Sequence, residues 1–353
     1  MSDHAGQAVR NRFQPAPRDD AADLGKLRRM QRISDADGFI RAAAIDHPEN
    51  YQILFDTDLG RVGFEEVVDS KLSMIAAMAP HATALLLDPV WSVGQAVVTG
   101  ALPGDVGLIS GIEDLYYRPD DSPVGFDTTL RLKPGWSPAK LSLLGCDAAK
   151  LVVFYRADSD DATAAAVHDV VASVARDCAT LQLPLVVEPL WYPRPGEDVQ
   201  DPAVAARRTE SVVAAAGSFR RAGADIMKME FPTTLTTDAG RAGADAACER
   251  VSEAVEGPWV LLSAGVTFEG FADQLGYAAR HGCSGFMAGR AIWGDGVGRR
   301  PEDERRRGER VAGERLDALA EILTAGAPRS WRPLPMGDAA RAVGADWYRT
   351  FGE

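Results

Sequence analysis

Eight short apolar runs recur along the chain, and their spacing constrains the fold more than any other feature. They are AAAID (42–46), ATALLLD (82–88), VGLIS (106–110), AKLVVFY (149–155), PLVVEPL (184–190), ADIMKME (224–230), WVLLSAG (259–265) and SGFMAGR (284–290). Several are apolar at consecutive positions, as expected of a parallel sheet covered on both faces. The segments between them are long enough for helices, and three carry clear helix patterning. DDATAAAVHDVVASVARDCATLQ (160–182) opens on aspartates suited to capping, AVAARRTESVVAAAGSFRRAG (203–223) closes on Gly, and TFEGFADQLGYAARHG (267–282) runs from a Thr to a Gly. Eight strands alternating with helices predict an α/β fold, a single-domain (β/α)8 TIM barrel over residues 23–326. No GxGxxG follows the first run, which argues against an open dinucleotide-binding sheet.

The flanks read differently. Residues 1–22 are polar and predict a flexible N-terminal tail. The stretch 298–326 is dense in both charges before it turns amphipathic, and reads as a solvated loop leading into the last outer helix. Residues 327–353 form a C-terminal extension with Trp331 and Trp347, expected to be a short docking helix or an oligomer contact, and a homo-oligomer is expected.

Composition narrows the partners. Among 353 residues, 38 Lys+Arg against 51 Asp+Glu leave a net charge of −13, which repels phosphate backbones and disfavours nucleic acid. No run of about 18 apolar residues is present to cross a membrane, and the first residues lack the apolar stretch of a signal peptide. The four cysteines are widely spaced and read as free thiols in a reducing compartment, so a cytoplasmic location is expected. The five histidines form no HxH or HxxxH pair, so no metal site is expected.

In such a barrel the chemistry sits at the C-terminal ends of the strands. Polar residues in or just after the runs are Asp46, Asp88, Lys150, Glu188, Lys228, Glu230, Ser263 and Arg290, with Glu113 shortly after the third. Lys228 stands between Met227 and Met229, where burial favours the neutral amine that attacks a carbonyl. It could instead snorkel outward or pair structurally. Lys150 opens an apolar strand; it either assists Lys228 or lies at the wrong end of the barrel. Glu188 lies deep in an apolar run and suits either acid–base work or a structural ion pair to a lysine. Asp46 ends the first strand before His47, and caps a turn or meets substrate. At the last two strand ends, Ser263, Ala264 and Gly265 with Gly289 and Arg290 combine small residues and a charged fork, as an anion site requires.

These residues also carry a resemblance. AIDH, LLLDP, the Glu113 segment, KPGWSPAKLSLLGCDAAKLVVFYRAD, VVEPL, ADIMKMEFP, LLSAGV and GFMAGRAIW occur in an order that resembles the class I tagatose-1,6-bisphosphate aldolases and the related sulfofructose-phosphate aldolases, over roughly residues 40–325. The resemblance implies cleavage of a ketose phosphate or sulfonate into two three-carbon products through a covalent imine on Lys228, with no cofactor. It implies catalytic roles for Lys150, Glu188 and Asp46, and substrate contacts from His47, Glu113, Ser263, Ala264, Gly265, Gly289 and Arg290. The family's usual Asp-Gln-Arg is Asp46-His47-Pro48 here, a departure that bears on which sugar and which terminal anion are taken. The other readings are a sugar-phosphate-sensing regulator with little turnover and a phosphosugar isomerase or epimerase.

Overall fold

A computed structural model describes residues 12–13, 23–115, 130–326, 330–331, 336–339, 343–349 and 351. Its centre is a closed barrel of eight parallel strands: β1 (Ile40–Ala44), β2 (Ala84–Leu87), β3 (Gly107–Gly111), β4 (Ala148–Phe154), β5 (Leu185–Leu190), β6 (Ile226–Met229), β7 (Trp259–Leu261) and β8 (Gly285–Ala288). Each pairs with the next, and β8 returns to β1 through Ile40 opposite Gly285. All eight apolar runs therefore supply a strand, and the (β/α)8 expectation holds.

Helix α1 (Leu24–Arg32) precedes the barrel, and the outer layer is α2 (Phe64–Met78), α3 (Val93–Thr99), α4 (Pro138–Leu144), α5 (Asp161–Thr180), α6 (Pro202–Arg221), α7 (Ala244–Val255), α8 (Phe268–Arg280) and α9 (Glu302–Ala325). Local chemistry sets their ends. The Asp160 side chain accepts the Thr163 N–H at the start of α5, and Thr267 does the same for Gly270 at the start of α8. The charged stretch expected to be a loop is instead the first half of α9. Glu and Arg are good helix formers, Glu302, Asp303 and Glu304 complement the helix N-terminus, and Arg306 pairs with Glu302 at 2.5 Å one turn away.

The two faces of the strands bury separate clusters. Side chains at alternate positions face the barrel axis: Ile40, Ala42, Ala44, Ala84, Leu86, Ile109, Ala148, Val186, Ile226, Val260 and Met287, closed at the lower end by Met30 and Ile33 of α1 and its cap. The intervening residues pack outward against the helices. Cys146, Cys178, Cys248 and Cys283 are free and buried. No helix among the described residues is long and apolar enough to cross a membrane.

Most of the two flanking segments lies outside the described residues. Within them Arg12–Phe13 pairs in parallel with Ser330–Trp331, joining the N-terminal flank to the C-terminal one. The described part of 336–349 contains short 3-10 turns at Met336–Asp338 and Trp347–Arg349.

Candidate active site

The alternation that builds the barrel interior also builds the site. One step beyond the axial residues Ala44, Ala148, Val186 and Ile226, at i+2, the chain has Asp46, Lys150, Glu188 and Lys228. With a period of two, Lys150, Glu188 and Lys228 stay on the axial face and rise toward the C-terminal mouth, and Asp46, just past the end of β1, meets them through Lys150. Register fixes their height: Lys150 pairs with Gly111 on β3 and Val186 on β5, and Lys228 with Val260 on β7. Lys150 therefore lies at the C-terminal mouth of the barrel and lines the cavity there, the alternative its position near the strand's start had left open.

There the charges interlock. Lys228 Nζ donates to Glu188 Oε2 at 2.9 Å, and the same oxygen lies 3.1 Å from Lys150 Nζ. Lys150 Nζ also donates to Asp46 Oδ2 at 2.8 Å and to Glu113 Oε1 at 2.6 Å, while Glu113 Oε2 accepts the Val152 N–H at 3.3 Å. Lys150 is 2% exposed and Lys228 4%, so neither snorkels out. Burial opposes the Lys150 charge, but the carboxylates of Asp46, Glu113 and Glu188 outweigh it and hold the ammonium well above the usual lysine range. Burial likewise opposes ionisation of Asp46 and Glu188, yet Lys150 and Lys228 keep both carboxyls below their ordinary values. The result is a buried network of lysines and carboxyls at whose edge Lys228 contacts, among the described residues, the one carboxyl of Glu188.

These groups line a cavity of about 380 Å³ together with His47, Ser263, Ala264, Gly265, Gly289 and Arg290. Ala264 and Gly265 both have positive φ, 46° and 78°, so the turn after β7 is held in a conformation rare for alanine. A Cβ on Gly265 would lie 3.0 Å from Arg290 Nη2, which shows how closely the guanidinium lies against that backbone. Gly289 donates to Ser263 Oγ at 3.4 Å, and a Cβ there would meet His47 Cε1 at 2.7 Å. The His47 ring packs edge-on against Trp293, with Nδ1 3.6 Å from Asp46 Oδ1 and no hydrogen-bond partner. Burial, with Arg290 and Lys228 nearby, pushes its pKa down to about 4 against the pull of Asp46, so the imidazole is neutral at physiological pH. The arrangement joins a lysine–carboxylate centre to an arginine beside small residues, the equipment for carbonyl chemistry on an anionic substrate.

Two of the polar strand-end residues do other work. Glu230 follows the end of β6 and accepts the Trp191 N–H at 2.7 Å, with Arg208 at 3.4 Å, away from the cavity. Asp88 lines the cavity but is bound at 2.6 Å to Lys71 of α2, which is fully buried. Sequence reasoning passed over Lys71. Its signal was a charge on the apolar stripe of a helix, among Val67, Val68, Met74, Ile75 and Met78. Lys133, which lines the cavity from the loop after β3 and pairs with Asp114 at 2.7 Å, was also unmarked.

The model of the DeoC/LacD family of aldolases matches residues 42–295, which take in the last three residues of β1, all of β2 to β8 and every site residue above. The chain belongs to that family. Among its relatives is a tagatose 1,6-diphosphate aldolase of Listeria monocytogenes serotype 4a (strain HCC23), 28% identical over 332 residues, covering 87% of this chain and 94% of that one. An archaeal fructose 1,6-bisphosphate aldolase superposes with a TM-score of 0.56 at 20% identity, over 85% of this aldolase and 100% of that chain. A solved structure of an archaeal fructose-1,6-bisphosphate aldolase with its catalytic lysine covalently bound to the carbinolamine intermediate of the substrate superposes with a TM-score of 0.54 at 18% identity, over 84% and 99% of the two chains. These superpositions carry the fold.

Proposed function

We propose that this aldolase cleaves a phosphorylated ketohexose into two three-carbon products through an imine on Lys228. The observation that carries the reading is the contact of Lys228 Nζ with Glu188 Oε2, at the edge of the network that Lys150 holds with Asp46, Glu113 and Glu188. The family membership, the tagatose 1,6-diphosphate aldolases among the relatives and the covalently bound lysine of an archaeal neighbour all support it.

The chemistry follows from who holds protons. Glu188 takes a proton from Lys228, and the free amine adds to the ketone carbon to give a carbinolamine. Glu188 returns the proton to the departing hydroxyl, water leaves, and the protonated imine becomes the electron sink. Asp46, ionised beside Lys150, accepts the proton of the C4 hydroxyl; the C3–C4 bond breaks into an aldehyde and an enamine. Asp46 gives that proton to C3 of the enamine, which restores its carboxylate and leaves an iminium, and water adds to the iminium and releases the second product and Lys228. Throughout, Lys150 stays charged and stabilises the carboxylates and the oxyanion forming between them. Arg290 and the turn 263–265 hold the terminal phosphate.

The test is reductive trapping. Borohydride added with tagatose or fructose 1,6-bisphosphate, or the 1-phosphates, should inactivate the enzyme and leave a mass adduct on Lys228, while EDTA leaves triose release unchanged. A panel that includes 6-sulfonated ketose 1-phosphates separates phosphate from sulfonate substrates in the same assay. No adduct and no triose from any ketose would refute the proposal.

A further inference from the structure

Lys71 lies on α2 with its side chain fully buried, reaching toward the barrel from outside β1 and β2. Its ammonium has three protons and three acceptors. One is Asp88 Oδ2 at 2.6 Å; the others are the main-chain carbonyls of Ile45 and His47, both at 2.9 Å. Those carbonyls flank Asp46. The Ile45 N–H is already held by Leu86 O at 2.9 Å, so the chain entering and leaving Asp46 is fixed on both sides. Asp88 in turn accepts the N–H groups of Val90 and Trp91, at 2.9 and 2.7 Å, which line the cavity.

An apolar side chain would fill this place on the stripe of α2 without desolvating a charge. A buried ammonium needs acceptors for all three protons, and what distinguishes Lys71 is where they come from: two of its three bonds go to the carbonyls on either side of one cavity residue. We infer that Lys71 is a positioning residue that clamps the backbone around Asp46, holding its carboxylate 2.8 Å from Lys150 at the cavity. The catalytic half of this inference rests on the role given to Asp46 above.

The test separates clamping from charge balance. Lys71→Met alone strands the Asp88 charge and can fail to fold. Lys71→Met/Asp88→Asn removes both charges, and the asparagine oxygen still accepts from Val90 and Trp91. The double variant should melt close to wild type, form the borohydride-trapped adduct on Lys228 and keep KM within about threefold, yet lose about 30–100-fold in kcat, the scale expected when a reacting group is misplaced. Lys71→Arg keeps the charge, but its planar fork cannot serve three acceptors from one ammonium position; the same kcat-selective loss is expected. Wild-type kcat in either folded variant overturns the inference. A crystal structure of the double variant is independent of catalysis: Asp46 should leave hydrogen-bond reach of Lys150, and an unmoved contact also overturns the clamp. If wild type itself gives no adduct and no triose, the aldolase reading fails, and the crystallographic arm still decides the clamp.

Discussion

Lys150→Met is the sharpest perturbation of the charge network. The methionine fills nearly the same volume, but three carboxylates lose the ammonium that stands 2.6 Å from Glu113, 2.8 Å from Asp46 and 3.1 Å from Glu188. Glu188 keeps Lys228 at 2.9 Å and Glu113 keeps the Val152 N–H; Asp46 is left facing a neutral imidazole. Breaking a buried pair by removing one partner costs about 3–5 kcal/mol, a large share of the ~5–15 kcal/mol that holds a domain together. At roughly 1.5 °C per kcal/mol for a chain of this size, from an unfolding entropy of about 2 cal/mol/K per residue, melting should fall by about 4–8 °C. The loss should depend on pH with a definite sign. In wild type the lysines hold Asp46 and Glu188 below their ordinary pKa values, so both carboxyls stabilise the fold above the unfolded range near 4 and lose that contribution as pH falls through their lower folded values. With Lys150 gone, burial dominates and raises the Asp46 pKa above its unfolded value. The variant then keeps its remaining stability below pH 4 and loses more as pH rises through the new folded value. Denaturant unfolding of both proteins at pH 5 and pH 8 measures this: the gap between them should be wider at pH 8, by about 1 kcal/mol for each unit of upward shift completed in that window. An equal gap at both pH values, or a total loss below 1 kcal/mol, would refute the reasoning.

His47 makes the opposite kind of prediction. Its folded pKa of about 4 lies below the unfolded value, so the unfolded chain takes up the proton first, and stability should fall by roughly 3 kcal/mol as pH drops from 6.5 through 4. His47→Gln should flatten that limb of a pH–stability curve; an unchanged limb assigns it elsewhere. Arg290→Met should raise KM for a phosphorylated ketose by about 10–100-fold, the worth of a hydrogen bond to a charged group, with kcat within a few-fold. Unchanged KM would place the phosphate away from the turn 263–265. Gly289→Ala puts a methyl 2.7 Å from His47 Cε1 and 2.9 Å from the Ala44 carbonyl, and should lower melting and activity together; a variant that behaves as wild type would mean the ring moves freely.

The barrel and the charged cluster proposed as its reactive centre were legible in the sequence for one reason. A strand buried on both faces is a run of apolar residues, and a charge inside it has no solvent to retreat to. Lys228, Lys150 and Glu188 stand out against Met227, Leu151 and Val187 for that reason, and the period of two then carries Ala148 to Lys150 and Ile226 to Lys228 on the same axial face. Edges were less legible. Glu230 is also two residues from Lys228, but β6 ends at Met229, so the alternation no longer governs where Glu230 points, and it turns to Trp191 and Arg208. The first half of α9 was hidden by its charges, because Glu and Arg favour helix as strongly as they favour solvent.

Lys71 was hidden for a different reason, which bears on how the site is built. A helix pattern tolerates one polar residue on its apolar stripe, and nothing local says whether that residue snorkels or is buried. What buries Lys71 is a set of acceptors supplied by two other elements, the carbonyls at the end of β1 and the carboxylate at the end of β2, with the Tyr51 ring 4.9 Å from the ammonium. The two buried lysines that ring Asp46 thus have complementary partners: Lys150 holds its carboxylate, and Lys71 holds the backbone on either side of it. Removing the first frees a charge and removing the second frees a chain. The two losses should therefore differ in kind, with Lys150→Met losing stability in a pH-dependent way and Lys71→Met/Asp88→Asn losing turnover with little loss of stability.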